Sequence, residues 1–170
     1  MEITLLSPTS VRIKGKQGTL LVNPVKPQEA NGIIILPNFE FDYKKEGEDT
    51  LIINGPGEYG TAGIKINGMR NSSDTVYTIR IDKIDLLFGR AETLAKDFNK
   101  LHEHHVALIC ADSSVDSSFV TSIVTNVVIF YGEQAETMIK KLAKENYRTE
   151  TKYTTTFEKL PPEMEEILLA

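Results

Sequence analysis

Residues 51–69 read LIINGPGEYGTAGIKINGM, two isoleucine-rich runs joined by a glycine-dense stretch. Leu51-Ile52-Ile53 is a short apolar run of strand character, and Ile64-Lys65-Ile66-Asn67 alternates apolar with polar residues as a half-buried strand does. Between them, Asn54, Gly55, Pro56, Gly57, Glu58 and Tyr59 lead on to Gly63. This stretch reads as a bend in which Gly55 and Gly57 permit a sharp change of direction and Glu58 satisfies nearby amides. Backbone amides in such a loop can also cradle a phosphate. The helix and lysine that complete a phosphate loop do not follow it, so a bend between strands is the expectation.

Working outward, the flanking segments also read as strands. EITLLS (2–7) and SVRIKG (10–15) precede the turn GKQG (15–18) and the run TLLVNP (19–24), where Pro24 and Pro27 end pairing. GIIIL (32–36) lacks alternation and reads as a fully buried strand, KKEGED (44–49) as a polar turn. TVYTIRI (75–81) alternates, and IDLLFG (84–89) closes a series that covers residues 2–90 almost without helix. Helical spacing then begins. RAETLAKDFNKLHEHH (90–105) places Leu94, Phe98 and Leu101 on one stripe, and EQAETMIKKLAKENY (133–147) does so with Ala135, Met138, Ile139 and Leu142. VALICA (106–111) and NVVIFYG (126–132) are buried strands, and DSSVDSSFVTSIV (112–124) is a candidate helix with an Asp or Ser cap. RTETKYTTTFEKL (148–160) is strand by its β-branched content, while EEILLA (165–170) fits strand or helix. The pattern predicts an α/β protein with two sheets and helices packed outside, and residues 1–170 forming one domain without a linker.

Composition narrows the function. A formal net charge of −5 works against non-specific nucleic-acid binding, which needs clustered cations. No apolar run approaches the ~20 residues of a membrane-spanning helix, and the first residues lack a secretory pattern. The single cysteine, Cys110, excludes an internal disulfide. A cytoplasmic protein is expected.

Three sets of residues carry a resemblance. LIINGPGEYGTAGIKINGM, the opening EITLLSPTSVRIKGKQGTLLVNP and the ending EKLPPEMEEILLA resemble the small bacterial and archaeal hydrolase-like branch of the metallo-β-lactamase superfamily. The resemblance implies a four-layer αββα sandwich, two mixed β-sheets flanked by helices, with a metal site where the sheets meet. It also makes EEILLA a last strand. In that family a buried strand leads to Ser-His-x-His-x-Asp-His, which holds paired metal ions. Here the matching residues are Pro37, Asn38, Phe39, Glu40, Phe41, Asp42 and Tyr43, so that Asn38, Glu40 and Tyr43 replace the histidines and only Asp42 is kept. The family's bridging aspartate falls on Arg90, and its last histidine falls near Tyr131 or Gly132. The resemblance thus implies a vestigial site of Asn38, Glu40, Asp42, Tyr43, Arg90 and Gly132, with no metal and no other cofactor.

Elementary coordination chemistry points the same way. Zinc needs imidazoles, thiolates or carboxylates converging at about 2.0–2.3 Å. Asn38 is a poor ligand, and Arg90 repels a dication. Arg90 is expected to pair with Glu40 or Asp42 in place of the metal. Elsewhere, His102, His104 and His105 in LHEHH read as a surface helix terminus. Cys110, Asp112, Ser113 and Ser114 have no neighbouring base and are expected to be inert. The expected function is a non-catalytic binding or assembly component with a protein or small-molecule partner, and a homo-oligomer is one form this takes. Two alternatives stand beside it: a divergent hydrolase using Glu40 and Asp42 with a hard cation, and a nucleic-acid-associated protein.

Overall fold

The computed structural model describes residues 1–26, 28–39, 49–71, 74–96, 103–143 and 146–170. In chain order these give β1 (Glu2–Ser7), β2 (Ser10–Lys14), β3 (Thr19–Val22), β4 (Gly32–Ile34), β5 (Leu51–Ile53), β6 (Gly57–Thr61), β7 (Ile64–Asn71), β8 (Asp74–Ile81) and β9 (Ile84–Arg90). The helix α1 (Ala91–Leu94), β10 (Val106–Cys110), β11 (Val127–Tyr131), α2 (Ala135–Ala143), β12 (Arg148–Glu150), β13 (Lys152–Thr154) and β14 (Glu165–Leu169) follow. No α-helix precedes Arg90 among the described residues, as the strand-rich first half of the sequence predicts.

The strands form two mixed sheets. One has six strands in the order β13-β1-β2-β3-β4-β5, the other eight in the order β12-β14-β11-β10-β9-β8-β7-β6. A core of inward residues from both sheets, including Ile3, Ile13, Leu20, Ile34, Phe88, Leu108 and Ile129, fills the space between them. A second apolar layer on the far side of the eight-stranded sheet joins Leu87, Ala107, Ile109, Val128 and Phe130 to Leu94, Phe119, Met138 and Ile139. β10 and β11 are therefore buried on both faces, which is why VALIC and VVIFY read as unbroken apolar runs. β7 alternates buried Ile64 and Ile66 with exposed Lys65 and Asn67, because helices do not cover its outer face among the described residues.

Several expectations are corrected. The stretch 55–63 is not all bend: Gly57–Thr61 is a strand, and the turn is confined to Ala62 and Gly63, whose φ angles of 44° and 75° suit a two-residue hairpin. The glycines of GEYGT give it weak intrinsic strand preference, and pairing with β7 supplies the strand state. Helix over 90–105 is confirmed only at Ala91–Leu94; Phe98, Leu101 and His102 lie outside the described residues, and Glu103–His105 are not helical. Residues 117–122 form a 3-10 helix, capped by Asp116 accepting from the Ser118 N–H at 2.9 Å. RTETKYTTTFEKL divides into β12 and β13, which belong to different sheets, followed by a 3-10 turn at Phe157–Lys159. Thr151 is the crossing point, and its carbonyl accepts from the Leu5 N–H. Asn54–Pro56 make the corresponding crossing between β5 and β6 on the opposite side of the sandwich.

Candidate functional site

Strands β9, β10 and β11 run parallel, and their last residues, Arg90, Cys110 and Tyr131, lie side by side in register. Open sheets usually place chemistry beyond such carboxyl ends, since the chain there leaves the ladder and side chains can converge. Asp74, at the start of the antiparallel neighbour β8, comes to the same pole.

Arg90 is the centre of the cluster. Its Nη2 lies 2.5 Å from Asp112 Oδ2 and 3.9 Å from Glu92 Oε1, and its Nη1 lies 3.9 Å from Asp74 Oδ2. The guanidinium side chain is only 16% exposed. Burial opposes its charge, but Asp112 first, then Glu92 and Asp74, outweigh that and raise its pKa. Asp74 is held in turn: its Oδ1 accepts from the Thr75 N–H at 2.7 Å and its Oδ2 from the Thr93 hydroxyl at 3.2 Å. Asn71 donates to the Thr93 carbonyl at 2.9 Å, and the Ser113 hydroxyl donates to Glu92 at 3.4 Å. The guanidinium thus ties together the ends of β9 and β10 and the start of β8.

Below this cluster lie two groups that burial keeps neutral. Burial pushes the Cys110 thiol up to about 12, so it is not a thiolate at neutral pH. Burial also raises the neighbouring Tyr131 hydroxyl, which lies near the thiol without a well-formed hydrogen bond. Arg90 Nε and Asp112 Oδ1 are likewise buried without partners. Gly132, next along β11, has φ +112°, and a Cβ there would meet the Ala111 carbonyl oxygen at 2.6 Å. Its lack of a side chain is a packing requirement.

Of the residues predicted from the sequence, the described ones can be placed. Arg90 ends β9 and Gly132 follows β11, at the same pole with β10 between them. Glu40, Asp42 and Tyr43 lie outside the described residues. Asn38 is exposed, with a left-handed φ of 65° that asparagine tolerates, in a turn where the Phe39 N–H donates to the Leu36 carbonyl. The Asn54–Tyr59 loop is structural, but not in the way expected. The Tyr59 hydroxyl, rather than Glu58, secures it by donating to the carbonyls of Gly55 at 3.0 Å and Pro56 at 3.3 Å. Glu58 is exposed on β6. Gly57, at φ +148°, needs its freedom, whereas a Cβ on Gly55 would meet open space.

The sequence reading missed Asp74, Glu92 and Asp112 as partners of Arg90. The available signal was positional: Asp112 follows VALICA as Arg90 follows LLFG, each a polar residue just past a buried run. His104 and His105 do not form the expected helix terminus. His104 is 7% exposed, and its Nε2 lies 3.3 Å from the Thr78 hydroxyl. His105 Nδ1 accepts from the Asp85 N–H at 2.9 Å, which makes it a cap on β9 rather than a helix terminus.

The described donor set does not fit a catalytic dication. Its carboxylates converge on a guanidinium, the nearby sulfur is a protonated thiol, and no imidazole among the described residues shares the pole. Among the described residues, no group of three His, Cys, Asp or Glu side chains is arranged to hold a metal ion.

No protein-family model matches the chain, and no curated protein does. Solved structures do. A protein of Thermotoga maritima, described as a candidate Zn-dependent hydrolase of the metallo-β-lactamase superfamily, superposes with a TM-score of 0.75 at 15% identity, over 99% of this chain and 98% of its own. A candidate metal-dependent hydrolase of Parabacteroides distasonis gives a TM-score of 0.60 at 12% identity, over 84% of this chain and 88% of its own. This chain has the metallo-β-lactamase-like α/β sandwich fold.

Proposed function

We propose that this chain is a metal-free, non-catalytic protein on the metallo-β-lactamase fold, and that it works as a binding or assembly component in the cytoplasm. The observation that carries the proposal is the Arg90–Asp112 pair, with Asp74 and Glu92 beside it, at the strand ends. A permanent cation is already paired with Asp112 there, with Asp74 and Glu92 within 3.9 Å. A metal entering beside it would have to displace the guanidinium or bear its repulsion. The cytoplasmic assignment rests on a single buried thiol with no second cysteine to pair with.

The competing hydrolase reading draws on how the two structural neighbours are described, and would use Glu40 and Asp42. Assays with phosphodiester, ester and β-lactam substrates, each with added zinc, manganese or magnesium, separate the two. The proposal expects no metal-dependent turnover above the rate of the same reaction without protein. Turnover that needs a metal and disappears with Asp42→Asn would establish the hydrolase.

A further inference from the structure

Among the described residues the sandwich ends laterally in four edge strands. Three of them, β5, β12 and β13, are only 3 residues long, and the last two carry charged residues. Short, charged edges resist pairing with another chain. β6 differs in length: it has 5 residues, Gly57–Thr61, with one charge, Glu58, and neither lysine nor proline. Among the described residues no strand pairs with its outer edge, and Glu58 and Gly60 are exposed.

We infer that β6 is the interface of a homodimer, pairing antiparallel with β6 of a second copy about a twofold axis at Tyr59. The main chain supports this register. Thr61 and Ile64 flank the two-residue turn and therefore bond each other. By alternation Gly57, Tyr59 and Thr61 direct their N–H and C=O groups to β7, while Glu58 and Gly60 direct theirs outward. Centring the pairing on Tyr59 sets each Glu58 against Gly60 of the other copy, so the outward groups meet as hydrogen-bonded pairs.

Side chains support the same register. Gly60 sits opposite Lys65 in the β6–β7 ladder. Glu58 of the second copy would therefore stand in the row Glu58, Gly60, Lys65, with no side chain between the two charges. Two strand spacings separate them, about 10 Å between Cα atoms, which the combined side chains span. Symmetry makes this pair twice. Any other residue at position 60 would stand between the charges.

Sedimentation of the full-length chain tests the inference. The wild-type protein should be a dimer at micromolar concentration. Glu58→Lys and Lys65→Glu should each weaken association roughly tenfold or more, because each sets like charges together on both sides of the axis. The double variant, Glu58→Lys with Lys65→Glu, should regain the dimer. Both positions are exposed, so melting temperatures report that every variant is folded. A monomeric wild type, a dimer that Glu58→Lys leaves intact, or no recovery in the double variant would each overturn it.

Discussion

The two ends of β9 solve opposite electrostatic problems. At its carboxyl end one guanidinium, Arg90, serves three carboxylates, Asp74, Glu92 and Asp112. At its other end one carboxylate, Asp82, collects donors: the Lys16 main-chain N–H at 3.0 Å from Oδ1 and 3.2 Å from Oδ2, and the Met1 ammonium at 3.1 Å. Asp82 also occupies a left-handed turn with Lys83, at φ angles of 52° and 69°. The contrast shows how a side chain can take the structural place of an ion. At either pole a single charge joins elements distant in sequence, and a tethered charge is present whenever the chain is folded.

The largest effect is expected at the Arg90 pole from packing. Gly132→Ala combines φ +112° with a Cβ 2.6 Å from the Ala111 carbonyl oxygen and 2.9 Å from its carbon, both main-chain atoms. It should cost about 3 kcal/mol, read as a lowered denaturation midpoint. A change under about 0.5 kcal/mol would mean that this pole is pliable, contrary to the view of a rigid strand-end cluster.

Arg90→Ala comes next. It leaves Asp74, which is 6% exposed, and Asp112 beside it without their cation. Because the pair is not fully buried, the expected cost is about 2 kcal/mol, below the ~3–5 kcal/mol of a broken interior pair. Arg90→Lys should recover only part of it, since an ammonium cannot span the three carboxylates as a planar fork does. Full recovery by lysine would reduce the cluster to simple charge balance.

Asp82→Asn at the opposite pole should be milder, about 1 kcal/mol at neutral pH. Burial disfavours the Asp82 carboxylate, but the Lys16 N–H and the Met1 amine outweigh it and hold its pKa below the ordinary value. A carboxyl group lowered on folding stabilises the protein above its unfolded pKa, and that contribution is lost as pH falls through the folded value. The gap between wild type and Asp82→Asn should therefore be full at neutral pH and close under acid conditions. A gap that widens with acid would contradict this assignment.

The smallest change needs no mutation. Cys110 is 3% exposed and its thiol is raised to about 12, so it should resist thiol reagents at neutral pH and react on unfolding. Rapid labelling of the native protein would show that the strand ends open.

What the sequence reveals depends on what buries each segment. VALIC and VVIFY are legible because a sheet lies against one face and helices against the other, leaving no polar position in the run. GEYGT is not, because two glycines and an exposed glutamate carry no strand signal and β7 imposes the conformation. Arg90 is recognisable from its place after LLFG, where the resemblance sets an aspartate. Its partners are harder to read, since Asp74 and Asp112 reach it only when β8 pairs with β9 and β9 with β10. LHEHH misleads for a related reason: it reads as the end of a helical stripe, whereas His104 turns toward Thr78 and His105 toward Asp85.

Elemental analysis of the purified protein, incubated with excess zinc, manganese and iron and then desalted, tests the central claim most directly. If Arg90 stands in for the metal, each element should remain well below one atom per chain, and added zinc should leave the melting temperature unchanged. About one atom or more per chain, released by Asp42→Asn and accompanied by a higher melting temperature, would contradict a metal-free site.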